Sequence, residues 1–183
     1  MYVIRHGQSV FNAAFNKTGR DPGIIDAPLT GRGFKQARLA ADSLKQKDIR
    51  KIISSPYTRA LQTAQAIAGI LNLGIEVEPL LGERSLYSCD IGTPRSALKK
   101  LWPRMNFARL ENEEWWPRLQ ETDADIEQRV HAFKALFDES GQGRQTLIVS
   151  HWYFIFTLTG GLDAENAQIL FHDSESKWHK WPA

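Results

Sequence analysis

Short apolar runs alternate with amphipathic stretches along this chain, and that alternation admits few folds. Met1 to Ile4, "RKIISS" at 50–55, "IEVEP" at 75–79 and "QTLIVS" at 145–150 read as buried strands. Between them the apolar period is helical. Thr30 caps a helix with Phe34, Ala37, Ala41 and Leu44 on one face, and Ser55 and Pro56 suit the N-cap and first residue of a second. That second helix carries Ala60, Ala64, Ile67 and Leu71; a third, from Thr122, carries Ile126, Val130, Phe133 and Phe137. "HWYFIFTLTGG" starts a buried helix ending at Gly160, and the tail suits a hairpin around "DSES". Strands alternating with helices predict an α/β, three-layer domain, with a mostly parallel central sheet and helices on both faces. Residues 16–28, "NKTGRDPGIIDAP", read as a loop. Residues 81–121 keep no period and are rich in proline and tryptophan. They are expected to form an excursion, a lid or insertion, within a single 1–183 domain.

A formal net charge of +2 is too small to imply a nucleic-acid or membrane partner, so any electrostatic specialisation must be local. One cysteine, Cys89, excludes an intrachain disulfide and suits a reducing compartment. With neither a leader pattern nor a membrane-length apolar run in view, the expected location is cytoplasmic.

The chemistry gathers where the strands end. The first strand delivers Arg5, His6 and Gly7; the second delivers Ser54, Ser55 and Pro56, with Arg59 one turn into the next helix; the fourth delivers Ser150 and His151. In open α/β sheets ligands sit beyond the carboxyl ends of the strands, so these groups can converge. Two guanidinium forks, two imidazoles and the N–H groups of a helix amino terminus at one spot would hold an oxyanion.

These fragments resemble the histidine phosphatase superfamily, which includes the cofactor-dependent phosphoglycerate mutases. "RHGQSVFN" fits its Arg-His-Gly signature, "DAPLTGRGFKQA" its Leu-Thr and Gln-Ala pattern, "SSPYTRALQTA" its second arginine motif and "IVSH" its second histidine motif. Arg-His-Gly alone would be a surface arginine beside an ordinary turn histidine, but four motifs in order are specific. The resemblance implies a phosphoglycerate mutase-like fold and assigns roles by position. His6 would take the phosphoryl group, and Arg5, Arg59 and His151 would hold its oxygens. Asn12 would be a further donor, although it is equally suited to capping the backbone. Gln8, Ser9 and Arg84 are candidate substrate contacts. Glu83 in "LLGERSLYSCDIG" would protonate the leaving oxygen, with Asp90 as the alternative acid. The scheme calls on no metal and no cofactor.

Gln8 and Ser9 after Arg-His-Gly point away from the acid phosphatase branch. Ser85 to Ser88 depart from the mutase pattern after Glu-Arg, and the loop after Gly19 is longer than in mutases. The reading is therefore metal-independent hydrolysis of a small phosphomonoester, with phosphate or another oxyanion able to fill the pocket. A mutase and a non-catalytic phosphate-binding module are the alternatives. Trp152 stands where many relatives have glycine, which narrows the pocket or shifts His151. In a lid, Arg84, Arg95, Lys99, Lys100 and Arg104 would recognise further anionic groups. The tryptophans of 101–116 read as packing, and His131, His172 and His179 as structural or surface groups. Oligomeric state is not legible.

Overall fold

A computed structural model describes residues 1–139, 143–173 and 175–181. Its strands are β1 (Tyr2–Arg5), β2 (Lys51–Ser54), β3 (Ile75–Val77), β4 (Thr146–Ser150), β5 (Ile169–His172) and β6 (Trp178–Lys180). Its helices are α1 (Val10–Thr18), α2 (Gly31–Leu44), α3 (Thr58–Leu71), α4 (Arg95–Leu101), α5 (Asp123–Glu139) and α6 (Trp152–Thr159). The six strands form one sheet in the order β3-β2-β4-β1-β5-β6. The first four in that order are parallel neighbours, and the tail hairpin adds β5 and β6 antiparallel. The expected three-layer α/β architecture with a mostly parallel sheet is present.

Side chains alternate across each strand, so each strand feeds two cores. Val3, Ile53, Ile148 and Leu170 face α5 and α6, burying Ile126, Val130, Phe133, Phe154, Ile155 and Leu158. Ile4, Ile52, Leu147, Val149 and Ile169 face the other way, onto the alanine-rich faces of α2 and α3. Each large side chain buried this way contributes about 1.5–3 kcal/mol, so the helix stripes legible in sequence hold the sandwich together.

Two helices depart from expectation, α1 by its presence and α3 by its start. The 16–28 loop begins three residues late, because Asn16, Lys17 and Thr18 complete α1. That helix is set by Ser9, whose hydroxyl accepts from Asn12 N (3.1 Å) while Asn12 Oδ1 accepts from Ser9 N (3.1 Å). Gly19 ends it in the left-handed region, at φ 65°. Helix α3 starts at Thr58 rather than Pro56, because Asp26 accepts from Thr58 N (2.8 Å) and Thr58 Oγ1 (2.7 Å). The tail hairpin forms as expected, with Asp173 N donating to Lys177 O (3.0 Å); Ser174 of its turn lies outside the described residues.

Residues 81–121 hold only a one-turn 3-10 helix at Ser88–Asp90 and the short α4. Leu98, Phe107 and Leu110, with Trp102, Met105 and Trp115, pack against Leu61 of α3 and Val77 of β3. The tryptophans there are packing residues, and Trp115 Nε1 donates to Thr93 O (2.9 Å). Among the described residues, no helix is long and apolar enough to cross a membrane.

The turn after β1 touches the start of α2 backbone to backbone. A Cβ on Gly33 would lie 2.2 Å from Gln8 O, and one on Gly7 2.4 Å from Gly33 O. Gly31, two residues earlier, has open space around it. Gly33→Ala is expected to cost about 1–3 kcal/mol of stability through forced backbone movement. Gly31→Ala should be neutral or up to about 1 kcal/mol stabilising. Urea denaturation of the two variants checks this; equal midpoints would contradict it.

Candidate active site

Strand β4 lies between β1 and β2, so three carboxyl ends meet at one edge of the sheet. His6 N donates to Ser150 O (3.0 Å) and Ser55 N to Val149 O (3.0 Å), which brings the residues after each strand into line. Gly7 N donates to Thr63 Oγ1 (3.0 Å), tying the turn to α3. His6 Nδ1 donates to the Gly7 carbonyl (2.7 Å), which puts the imidazole proton there and leaves Nε2 with its lone pair. The His151 ring lies 5.1 Å from that of His6, and its Nε2 pairs with Ser55 Oγ (2.8 Å). His151 Nδ1 is buried with no partner. Burial first, then the positive charge of Arg59 and Arg5, hold the His6 pKa well below its ordinary value. Burial and Arg59 do the same for His151. Both rings are therefore neutral near pH 7.

The two arginines come from different elements, Arg5 from the end of β1 and Arg59 from the first turn of α3. One terminal nitrogen of Arg5 donates to Ala164 O (2.8 Å), and its Nε is buried without a partner. Arg59 donates to Cys89 O (2.7 Å) and to Asp90 Oδ1 (3.0 Å). Asp90, the alternative acid, is thus an ion-pair partner, and its other oxygen accepts from Leu86 N (3.1 Å) and Tyr87 N (3.0 Å). Glu83 sits on the first turn of α6, where Oε2 accepts from Trp152 N (3.0 Å) and Oε1 from Tyr153 N (2.9 Å). Those bonds favour its anion, yet burial and the nearby Asp90 raise its pKa above the ordinary carboxylate value. The expectation that a helix amino terminus offers free N–H groups at the end of β2 is corrected, because the Asp26 carboxylate already occupies Thr58 N at the start of α3.

A cavity of about 340 Å³ opens here, lined by Arg5, His6, Ser9, Asn12, Arg59, Glu83, Arg84 and Asp90. His151 lies fully buried beside His6. Gln8 is not among the lining residues, and its Oε1 accepts from the Thr30 hydroxyl (3.0 Å). Ser9 is engaged as the α1 cap. Asn12 Oδ1 is held by Ser9 N and by Asn166 Nδ2 (3.2 Å), which leaves Nδ2 to donate. Arg84 is ion-paired with Asp123, donates to Glu121 O (2.9 Å) and lies over the Tyr153 ring. Arg95 is spent on the Leu110 and Glu111 carbonyls, and Lys99, Lys100 and Arg104 are exposed away from the cavity. Trp152 does border it, with its indole N–H on Asp163 Oδ1 (2.5 Å). Among the described residues no group of three or more His, Cys, Asp or Glu is placed to hold a metal ion.

Sequence reading misses Arg129 of α5. Its guanidinium donates to the carbonyls of Leu80 (3.0 Å), Gly82 (2.7 Å) and Glu83 (3.0 Å), and to both carboxylate oxygens of Glu121. It fixes the loop that carries Glu83. No local pattern announces this, because its carbonyl partners are more than forty residues away.

Comparison with known proteins agrees with the geometry. The family model for the histidine phosphatase superfamily (branch 1) matches residues 1–173. A probable phosphoglycerate mutase, GpmB, of Yersinia pestis (strain Pestoides F) is 31% identical over 158 residues, covering 82% of this chain and 68% of the relative. Among solved structures, a mycobacterial glucosyl-3-phosphoglycerate phosphatase complexed with VO3 superposes with a TM-score of 0.65 at 24% identity, over 100% of this chain and 98% of the other. A phosphoserine phosphatase of Entamoeba histolytica in complex with 3-phosphoglyceric acid gives 0.65 at 21% identity, over 98% and 93%. At such identities the two structures establish the shared fold.

The buried neutral imidazoles set a direction for stability against pH. His6 and His151 have folded pKa values below 6.5, so the unfolded chain binds more protons below that pH. Their contribution is full above pH 6.5 and is lost as pH falls through it, by up to about 1.4 kcal/mol per pH unit for each ring. The urea midpoint should therefore drop between about pH 7.5 and about pH 5.5. His151→Gln should flatten the decline.

Proposed function

The chain belongs to the histidine phosphatase superfamily, and we propose that it hydrolyses a small phosphomonoester through a phosphohistidine on His6. The observation that carries this reading is the state of His6. It is neutral, its proton is held on Nδ1, and Nε2 is free in a cavity shared with Arg5 and Arg59. In the first step Nε2 attacks phosphorus, the ester P–O bond breaks, and Glu83 gives its proton to the leaving oxygen. In the second, the Glu83 carboxylate takes a proton from water, the oxygen attacks phosphorus, and the P–N bond breaks. Arg5, Arg59, Asn12 Nδ2 and His151 receive the phosphoryl oxygens. Phosphoryl transfer asks chiefly for positioning and for positive charge on those oxygens. No metal is needed for either step, so turnover should survive a chelator. Cys89 as a lone buried thiol fits a reducing, cytoplasmic setting.

Curated relatives named as probable phosphoglycerate mutases support a second reading, in which the phosphohistidine returns its group to a rearranged product. Quenching into alkaline denaturant with a labelled phosphomonoester, which preserves the acid-labile P–N bond, separates the two. A transient label lost to water supports hydrolysis, a durable label supports the mutase, and none supports a binding module.

His6→Ala should abolish the label and cut turnover at least a thousandfold or so. The profile of kcat/KM against pH, which reports groups of the free protein, should be bell-shaped. Its acid limb reports protonation of His6, and its alkaline limb reports loss of the Glu83 proton at a pH above the usual carboxylate range. Glu83→Gln should remove the alkaline limb and slow turnover by about 10²–10⁴. Arg129→Lys keeps the charge but not the fork, and should lower kcat about tenfold with little change in KM.

A further inference from the structure

One wall of the cavity is not explained by phosphoryl transfer. Beside the two arginines and His6 it is bordered by five aromatic rings, those of Phe11, Phe15, Tyr87, Trp152 and Tyr153. Phe11 and Phe15, one turn apart on α1, stack with centroids 5.5 Å apart at 16°. The Tyr87 ring closes on both, at 5.7 Å and 5.3 Å. Tyr153 meets Trp152 edge to face at 4.6 Å. These rings are not all core. Tyr87 is 39% exposed, and Phe15, Trp152 and Tyr153 are half-buried. Apolar ring surface left at the mouth of a polar cavity gains free energy only when something flat and apolar covers it.

The charges of the cavity point the same way. Among its described lining residues the cations are Arg5, Arg59 and Arg84. The first two are taken by the phosphoryl group in the reading above. Arg84 is already ion-paired with Asp123 and bonded to the Glu121 carbonyl. A second anionic group on the substrate would therefore have to compete with Asp123 for Arg84, and would lie near the Asp90 and Glu83 carboxyls. A carboxylate-bearing phosphate of the phosphoglycerate kind is poorly matched to such a wall.

We infer that the substrate is a phosphomonoester whose alcohol carries a flat, uncharged ring, which lies against the Phe15–Tyr87 and Trp152 side chains while the phosphoryl group meets His6. This inference rests on the phosphatase reading and narrows its substrate class. Steady-state hydrolysis by the full chain tests it with 2-phenylethyl phosphate, ethyl phosphate and 3-phosphoglycerate. The first two release alcohols of similar acidity, so a difference between them reports binding of the ring rather than leaving-group chemistry. The expected result is a kcat/KM for 2-phenylethyl phosphate about tenfold or more above each of the others. Phe15→Ala and Tyr87→Ala, at positions open enough to be truncated without a core cavity, should each shrink that ratio several-fold. Equal rates for the phenylethyl and ethyl esters, or a preference for 3-phosphoglycerate, would overturn the substrate class and leave the phosphatase standing. No turnover of any ester and no alkali-stable label on His6 would overturn the reading beneath it as well.

Discussion

The Arg59–Asp90 ion pair is the contact on which the site's architecture hangs. Both side chains are almost fully withdrawn from water, at 3% and 2% exposure, and their charged atoms meet at 3.0 Å. An unpaired buried charge costs several kcal/mol, so neither partner can leave its place alone. Asp90 in turn holds the backbone N–H groups of Leu86 and Tyr87, and its own carbonyl accepts from the Tyr57 hydroxyl (2.6 Å). The start of α3 and the irregular chain after β3 are thereby locked together. Glu83, Arg84 and Tyr87 all belong to that stretch, so this pair, with Arg129 on the Glu83 carbonyl, sets one wall of the cavity.

Electrostatics inside the cavity follow from burial. Arg5 and Arg59 place positive charge next to two imidazoles that water does not reach, and both rings are pushed towards neutrality. The same desolvation moves Glu83 in the opposite chemical sense, keeping its proton on to higher pH despite three backbone donors. Burial thus moves the imidazoles and the carboxyl towards their uncharged forms alike. The sheet accomplishes this by drying one crevice.

Much of this was legible in the residue order. The strands and the stripes of α2, α3 and α5 follow from periodicity, and Arg5, His6, Arg59 and His151 follow from where strands must end. What was not legible depends on partners distant in sequence. Asp26 fills the start of α3 from 32 residues away. Arg129 holds the Glu83 loop from a helix face that looks merely polar. The helix α1 hides behind a cap of Ser9 and Asn12, a weaker signature than one ending in glutamate. Residues 81–121 show no period because their regular pieces are one or two turns long and their order comes from ring packing. Gly92, for example, lies beneath the Trp115 and Trp116 rings.

The strand order has a consequence for how such a chain comes into being. Strand β1 pairs only with β4 and β5, which are made more than 140 residues later. During synthesis the segment bearing His6 has no sheet to join, and β2 waits with one side open. When β4 emerges it slides between them, closing two unpaired edges at once. Assembly of the crevice that holds His6 therefore waits for β4, so a ribosome that stalls before residue 146 leaves unpaired strand edges exposed and the crevice unformed.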